Sequence, residues 1–125
     1  MPIRFERDDV RRRVLLTVEG AFQRGDVLAN LAQRRTDDTW TYATLLDLRA
    51  MTERPSVADL RQISTEIATG ESGAIPRGPF AILATDPAVY SLACAFAALR
   101  KSTLTIDVFR ALDEAEQWLD KRRGG

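Results

Sequence analysis

The stretch 79–100, PFAILATDPAVYSLACAFAALR, holds the reading on which the fold turns. Phe80, Ala81, Ile82, Leu83 and Ala84 form a short unbroken apolar run. A strand with one buried face alternates polar and apolar residues, so an unbroken run suits a strand covered on both faces of a parallel sheet. Asp86 followed by Pro87 then marks a helix start. The carboxylate can accept the free amides of the first turn, and proline lacks an N–H where none is needed. The helix runs over 88–99 to about Arg100. A strand that feeds a helix in this way implies a crossover to a parallel neighbour.

Downstream, residues 103–109 read as a last strand with Leu104, Ile106 and Val108 on one side. Residues 111–122 read as a terminal helix carrying Leu112, Ala115, Trp118 and Leu119. Upstream, 42–48 is a β-prone apolar run expected to be a central strand. Pro55 and Ser56 open a helix with core residues Leu60, Ile63 and Ile67, Ser56 bonding the amide near Asp59. Residues 70–78, rich in Gly, Ser and Pro, read as a loop. At the start, Ile3 and Phe5, then Val14, Leu16 and Val18, alternate with polar neighbours, which predicts a hairpin turning at 8–12 and closed by Gly20. Asp26 caps a one-sided helix bearing Val27, Leu28, Leu31 and Ala32. The order is β-β-α-β-α-β-α-β-α: an α/β chain with a mostly parallel five-stranded sheet and its first strand antiparallel.

Length and composition agree with one domain over residues 1–125. A chain of 125 residues with 45% hydrophobic content can bury a core without metal or disulfide. Eighteen basic residues balance eighteen acidic ones, so no net field draws in nucleic acid or an anionic membrane. The start, MPIRFERDDV, is too charged for a signal-peptide core, no apolar run is long enough for a membrane span, and Cys94 has no internal partner. A cytoplasmic location is expected. There is no histidine, which removes imidazole metal ligands and every Ser-His or Cys-His nucleophile.

The texture of the segments resembles the SpoIIAA-like family of STAS/SEC14-type domains. The resemblance is carried by the strand-Gly20 junction, Trp40 ahead of Thr44-Leu45-Leu46-Asp47-Leu48-Arg49, the join Ala84-Thr85-Asp86-Pro87, and the closing Val108-Phe109-Arg110 with Glu114-Ala115 and Trp118-Leu119. It implies a small (β/α) superhelical fold, often homodimeric, in bacterial proteins for which no catalytic activity is generally assigned. Anti-sigma factor antagonists of this group carry an Asp-Ser-Ser-Gly-like turn with a phosphorylated serine at the second helix. Here that stretch reads Met51-Thr52-Glu53-Arg54-Pro55-Ser56-Val57. The related lipid-binding CRAL-TRIO domains suggest carriage of an apolar molecule.

Ser56 is a candidate for phosphorylation, since a phosphate there would meet a helix N-terminus near Arg54; the simpler reading is a helix cap. The helix 88–99 has only Ser91 polar, and a helix apolar all round must be covered on more than one side. Its candidate contact residues are Val89, Tyr90, Leu92, Ala93, Phe96 and Ala97. They could form a dimer or partner interface or line an apolar groove, or the alanines could simply be tolerated on an exposed face. Cys94 reads as a small buried hydrophobe.

The pairs Asp8-Asp9 and Asp37-Asp38 read as turns and caps. The basic runs Arg11-Arg12-Arg13 and Lys121-Arg122-Arg123 read as solvated faces, without aromatic interleaving for base stacking. Trp40 and Trp118 read as locks between elements. No catalytic residue, metal ligand or cofactor is expected. The expected function is a non-enzymatic STAS-like protein-interaction or regulatory module, homodimeric, with a small apolar-ligand or lipid-binding protein as the alternative.

Overall fold

The computed structural model describes residues 3–21, 29, 39, 41–53, 56, 58, 59, 61, 62, 65, 78–101 and 104–122. The predicted helix over 26–35, apart from Ala29, lies outside these residues, as do Trp40, Asp37, Asp38, Leu60, Ile63, Ile67 and the loop 70–77. Residues 58, 59, 61, 62 and 65 are helical, as expected after Ser56.

The strands are β1 (Ile3–Asp8), β2 (Arg13–Val18), β3 (Gly20–Ala21), β4 (Ala43–Asp47), β5 (Met51–Glu53), β6 (Phe80–Leu83) and β7 (Ile106–Phe109). The two helices with described bounds are α1 (Pro87–Arg100) and α2 (Leu112–Lys121). Five strands form one sheet in the order β1-β2-β4-β6-β7. β1 runs antiparallel to β2, and the remaining pairs are parallel. The predicted topology of this sheet is therefore observed, with 42–48 at its centre.

β6 shows why its sequence is unbroken. Phe80 and Ile82 enter one core with Ala93 and Ala97 of α1 and Leu104, Ile106 and Val108. Ala81 and Leu83 enter a second core on the other face with Ala43, Leu45, and Ala115 and Leu119 of α2. Alternation along the strand sends successive side chains to opposite faces, and here both faces carry a helix.

Local chemistry sets the joins. The Asp86 carboxylate accepts from the amides of Ala88 and Val89, both at 3.1 Å, with Pro87 in the first turn. The hairpin turns through Asp8, whose carboxylate accepts from the Arg11 amide at 3.1 Å. Arg12 there holds φ at +53°, a conformation uncommon outside glycine.

Three features depart from expectation. A second, two-stranded parallel sheet joins β3 to β5, entered by Gly20 at φ +74°. Strands of two and three residues are too short to leave a periodic signature. Leu112, placed in the core of the last helix, is 42% exposed because it opens α2 before the helix settles on the sheet. Cys94, expected to be buried, is exposed.

Candidate interaction surface

The phase of α1 is set by what it lays on the sheet. Val89, Ala93, Ala97 and Arg100 are buried, spaced i, i+4, i+8 and i+11 along one side. Tyr90, Leu92 and Phe96 are half-buried at the flanks, Tyr90 and Phe96 packing against the core. Ser91, Cys94, Ala95, Ala98 and Leu99 are exposed. Of the six contact residues read from the sequence, Val89, Ala93 and Ala97 thus face the chain's own sheet. The outward face is instead the one around Ser91, the single polar residue in 88–99. Ser91 was the available signal: positions i+3, i+4, i+7 and i+8 from it are Cys94, Ala95, Ala98 and Leu99.

Polar contacts hem this face on one side. The Arg110 guanidinium lies 4.2 Å from the centre of the Tyr90 ring, joining the end of β7 to α1. A hydrogen bond with Cys94 is the main cause holding the Tyr90 hydroxyl above its ordinary pKa. At the helix end, burial draws the Arg100 guanidinium below its usual pKa.

In the basic run at the hairpin Arg13 is turned inward, while Arg11 is half-buried and Arg12 stays exposed. Arg13, 6% exposed, donates to Glu116 and, at 2.6 Å, to Asp120 on α2. Arg11 reaches the same two carboxylates at 3.3 Å. Hydrogen bonds from Arg13 are the main cause holding the Asp120 carboxyl below the usual range. Arg12 lies over the Tyr42 ring at 5.2 Å, and the Tyr42 hydroxyl donates to Asp9 at 2.8 Å. Arg7 also bonds Asp9, which holds that carboxyl low. Asp8 and Asp9 are therefore turn and clamp residues. Arg122 stacks on Trp118 at 4.2 Å, and Trp118 meets Phe109 at 5.7 Å, so this tryptophan does lock a helix to a strand.

Ser56 is exposed and sits in a reciprocal cap. The Asp59 amide donates to Ser56 Oγ at 3.1 Å, and the Ser56 amide donates to Asp59 Oδ2 at 3.2 Å. Near the carboxyl end of the central strand, burial would raise the Asp47 carboxyl, but hydrogen bonds from Arg49 outweigh it and leave the pKa low. Among the described residues no three His, Cys, Asp or Glu side chains converge as metal ligands. Among them, too, no helix is long and apolar enough to cross a membrane.

Neither a protein-family model nor a curated protein matches the sequence. Solved structures do match in shape. An uncharacterized DUF3478-family protein with a SpoIIAA-like fold from Shewanella loihica PV-4 superposes with a TM-score of 0.61. The match covers 94% of this chain and 91% of that one at 13% identity. The protein TM1081, solved by NMR, matches with a TM-score of 0.56 over 92% of this chain and 86% of its own, also at 13% identity. With its antiparallel first strand, parallel remainder and helices on both faces, the chain has the SpoIIAA-like fold.

Proposed function

We propose that this single-domain chain is a non-enzymatic, STAS-like protein-interaction or regulatory module, homodimeric and cytoplasmic, that contacts a protein partner through the outer face of α1. One observation carries this reading. Cys94, Ala95, Ala98 and Leu99 remain exposed as a contiguous face of small and apolar residues, while the opposite side of the same helix is core. Small side chains let a partner backbone approach closely, and apolar surface grouped in this way favours contact over solvation. The half-buried Leu92, Tyr90 and Phe96 flank it.

The test replaces residues that the fold does not need. Ala98→Glu and Leu99→Glu are exposed changes expected to leave thermal stability unaltered. A partner captured by the native protein, purified and titrated in a binary assay, should bind these variants at least about tenfold more weakly, since a charge facing a desolvated apolar contact costs more than 1.4 kcal/mol. Equal binding by the variants would overturn the proposal. Ser56 fits the same reading as a regulatory position: a phosphate on Oγ would sit at a helix start, and phosphopeptide mass spectrometry of protein from its native source tests it.

The apolar-ligand alternative needs an open groove beside α1. Ala93 and Ala97 are packed against Phe80, Ile82 and the β7 side chains, so nothing on that side of the helix favours it. Native mass spectrometry separates the two readings, since carriage requires a bound lipid mass.

A further inference from the structure

Within the self-association part of that reading, we infer that the second copy docks on the free edge of β1, extending the five-stranded sheet across a two-fold axis centred on Phe5. Among the described residues, β1 is paired on one side only, by β2. Its six residues, Ile3-Arg4-Phe5-Glu6-Arg7-Asp8, therefore offer an edge for strand addition. Ile3 and Phe5 are half-buried, while Arg4 and Glu6 are exposed on the opposite face of the strand.

Symmetry restricts the pairing sharply. A two-fold axis perpendicular to a continuous antiparallel sheet must set one residue of β1 opposite its own copy, so that each face meets its like. Centring on Arg4, Glu6, Arg7 or Asp8 opposes two identical charges, which destabilises a cross-strand pair. Of the two apolar centres, Ile3 would set Arg4 and Phe5 against residues 2 and 1, outside those described, with no charge pair formed, whereas Phe5 pairs the two aromatic rings and sets Arg4 against Glu6 twice. Arg4 already bonds Glu19 at 2.9 Å, and its fork of five donors can serve a second carboxylate. The strand is thus self-complementary in charge at this register. Docking there leaves the outer face of α1 open to a different protein.

Sedimentation velocity with charge reversals tests this directly. The native chain is expected to be dimeric, and Arg4→Glu and Glu6→Arg singly should each weaken the dimer about tenfold, more so at low salt. Arg4→Glu combined with Glu6→Arg restores the complementarity and should restore the dimer. The two single variants mixed should form heterodimers. Circular dichroism of every variant establishes that the fold is retained. A native dimer indifferent to the single reversals, or a double variant that stays monomeric, would overturn docking at β1 while leaving a homodimer standing. A native monomer would overturn both.

Discussion

Gly78 precedes β6 and lies against the backbone that enters β4. A Cβ at this position would fall 2.5 Å from the Tyr42 carbonyl oxygen, 2.7 Å from the Tyr42 carbonyl carbon, and closer still to the carbonyl oxygen of Thr41. These are main-chain atoms and cannot swing aside. Tyr42 is tied through its amide to Thr39 at 3.1 Å, and Ala43 to the Arg12 carbonyl at 3.1 Å. Gly78→Ala must therefore push the strands apart by most of an ångström. The first contact to stretch is Thr44 N to Pro79 O, 2.8 Å, which opens the β4–β6 pairing.

Overpacking of this kind costs about 1–3 kcal/mol, and the weakened hydrogen bond adds about 1 kcal/mol. The reduced freedom of alanine in the unfolded chain returns somewhat under 1 kcal/mol. The net is about 2 kcal/mol of destabilisation, or roughly 8 °C in Tm for a domain of this size. Gly20→Ala is the control. Its Cβ would meet nothing within 4 Å, so only the φ of +74° opposes it, at about 1 kcal/mol. Urea and thermal melts of the two variants measure the difference. A Gly78→Ala protein within about 0.5 kcal/mol of the native chain, inside the range of an ordinary surface change, would refute the close-approach reasoning.

Other consequences follow from the two cores and the joins. Leu119, fully buried among Leu45, Leu83 and Ala115, should lose about 2–5 kcal/mol on change to alanine; Leu112→Ala, at an exposed position, should cost little in the same denaturant melt. Asp86→Ala removes the acceptor for two first-turn amides and should cost about 1 kcal/mol, with Asp86→Ser close to native in thermal melts. The Asp47 pKa is lowered in the fold, so its contribution is present above the unfolded carboxylate value of about 3.9 and lost as pH falls through the folded value. Asp47→Asn should therefore flatten the acid limb of the stability–pH curve below about pH 4 while leaving its alkaline side unchanged.

Much of the sheet was legible because its strands carry distinct signatures. β6 reads as doubly buried from an unbroken run, and alternation in β2 and β7 picks out Val14, Leu16, Val18, Ile106 and Val108, all buried; the other face of β2 is covered as well, with Arg13 buried and Leu15 packed on the second core, which alternation alone does not reveal. Asp86-Pro87 located a helix start through chemistry local to the sequence. The β3–β5 pair and Gly78 were not legible in the same way, because both depend on which distant backbone segments meet. The outer face of α1 was only partly legible. In a helix of alanines and large apolar residues, hydropathy alone does not reveal the phase, and the buried set includes Arg100, which residue type would have placed outside. Cys94 went astray for the same reason: as a residue type it favours burial, yet it shares the side of Ser91.

One side of α1 is core, and the proposed function makes the other its contact surface. Methyl NMR with a soluble paramagnetic agent tests it on the alanines themselves. In the free protein Ala95 and Ala98 methyls should be bleached, and Ala93 and Ala97 protected. Addition of the captured partner should protect Ala95, Ala98 and Leu99 and leave Ala93 and Ala97 unchanged. Methyls of Ala95 and Ala98 that stay bleached in the saturated complex would contradict it.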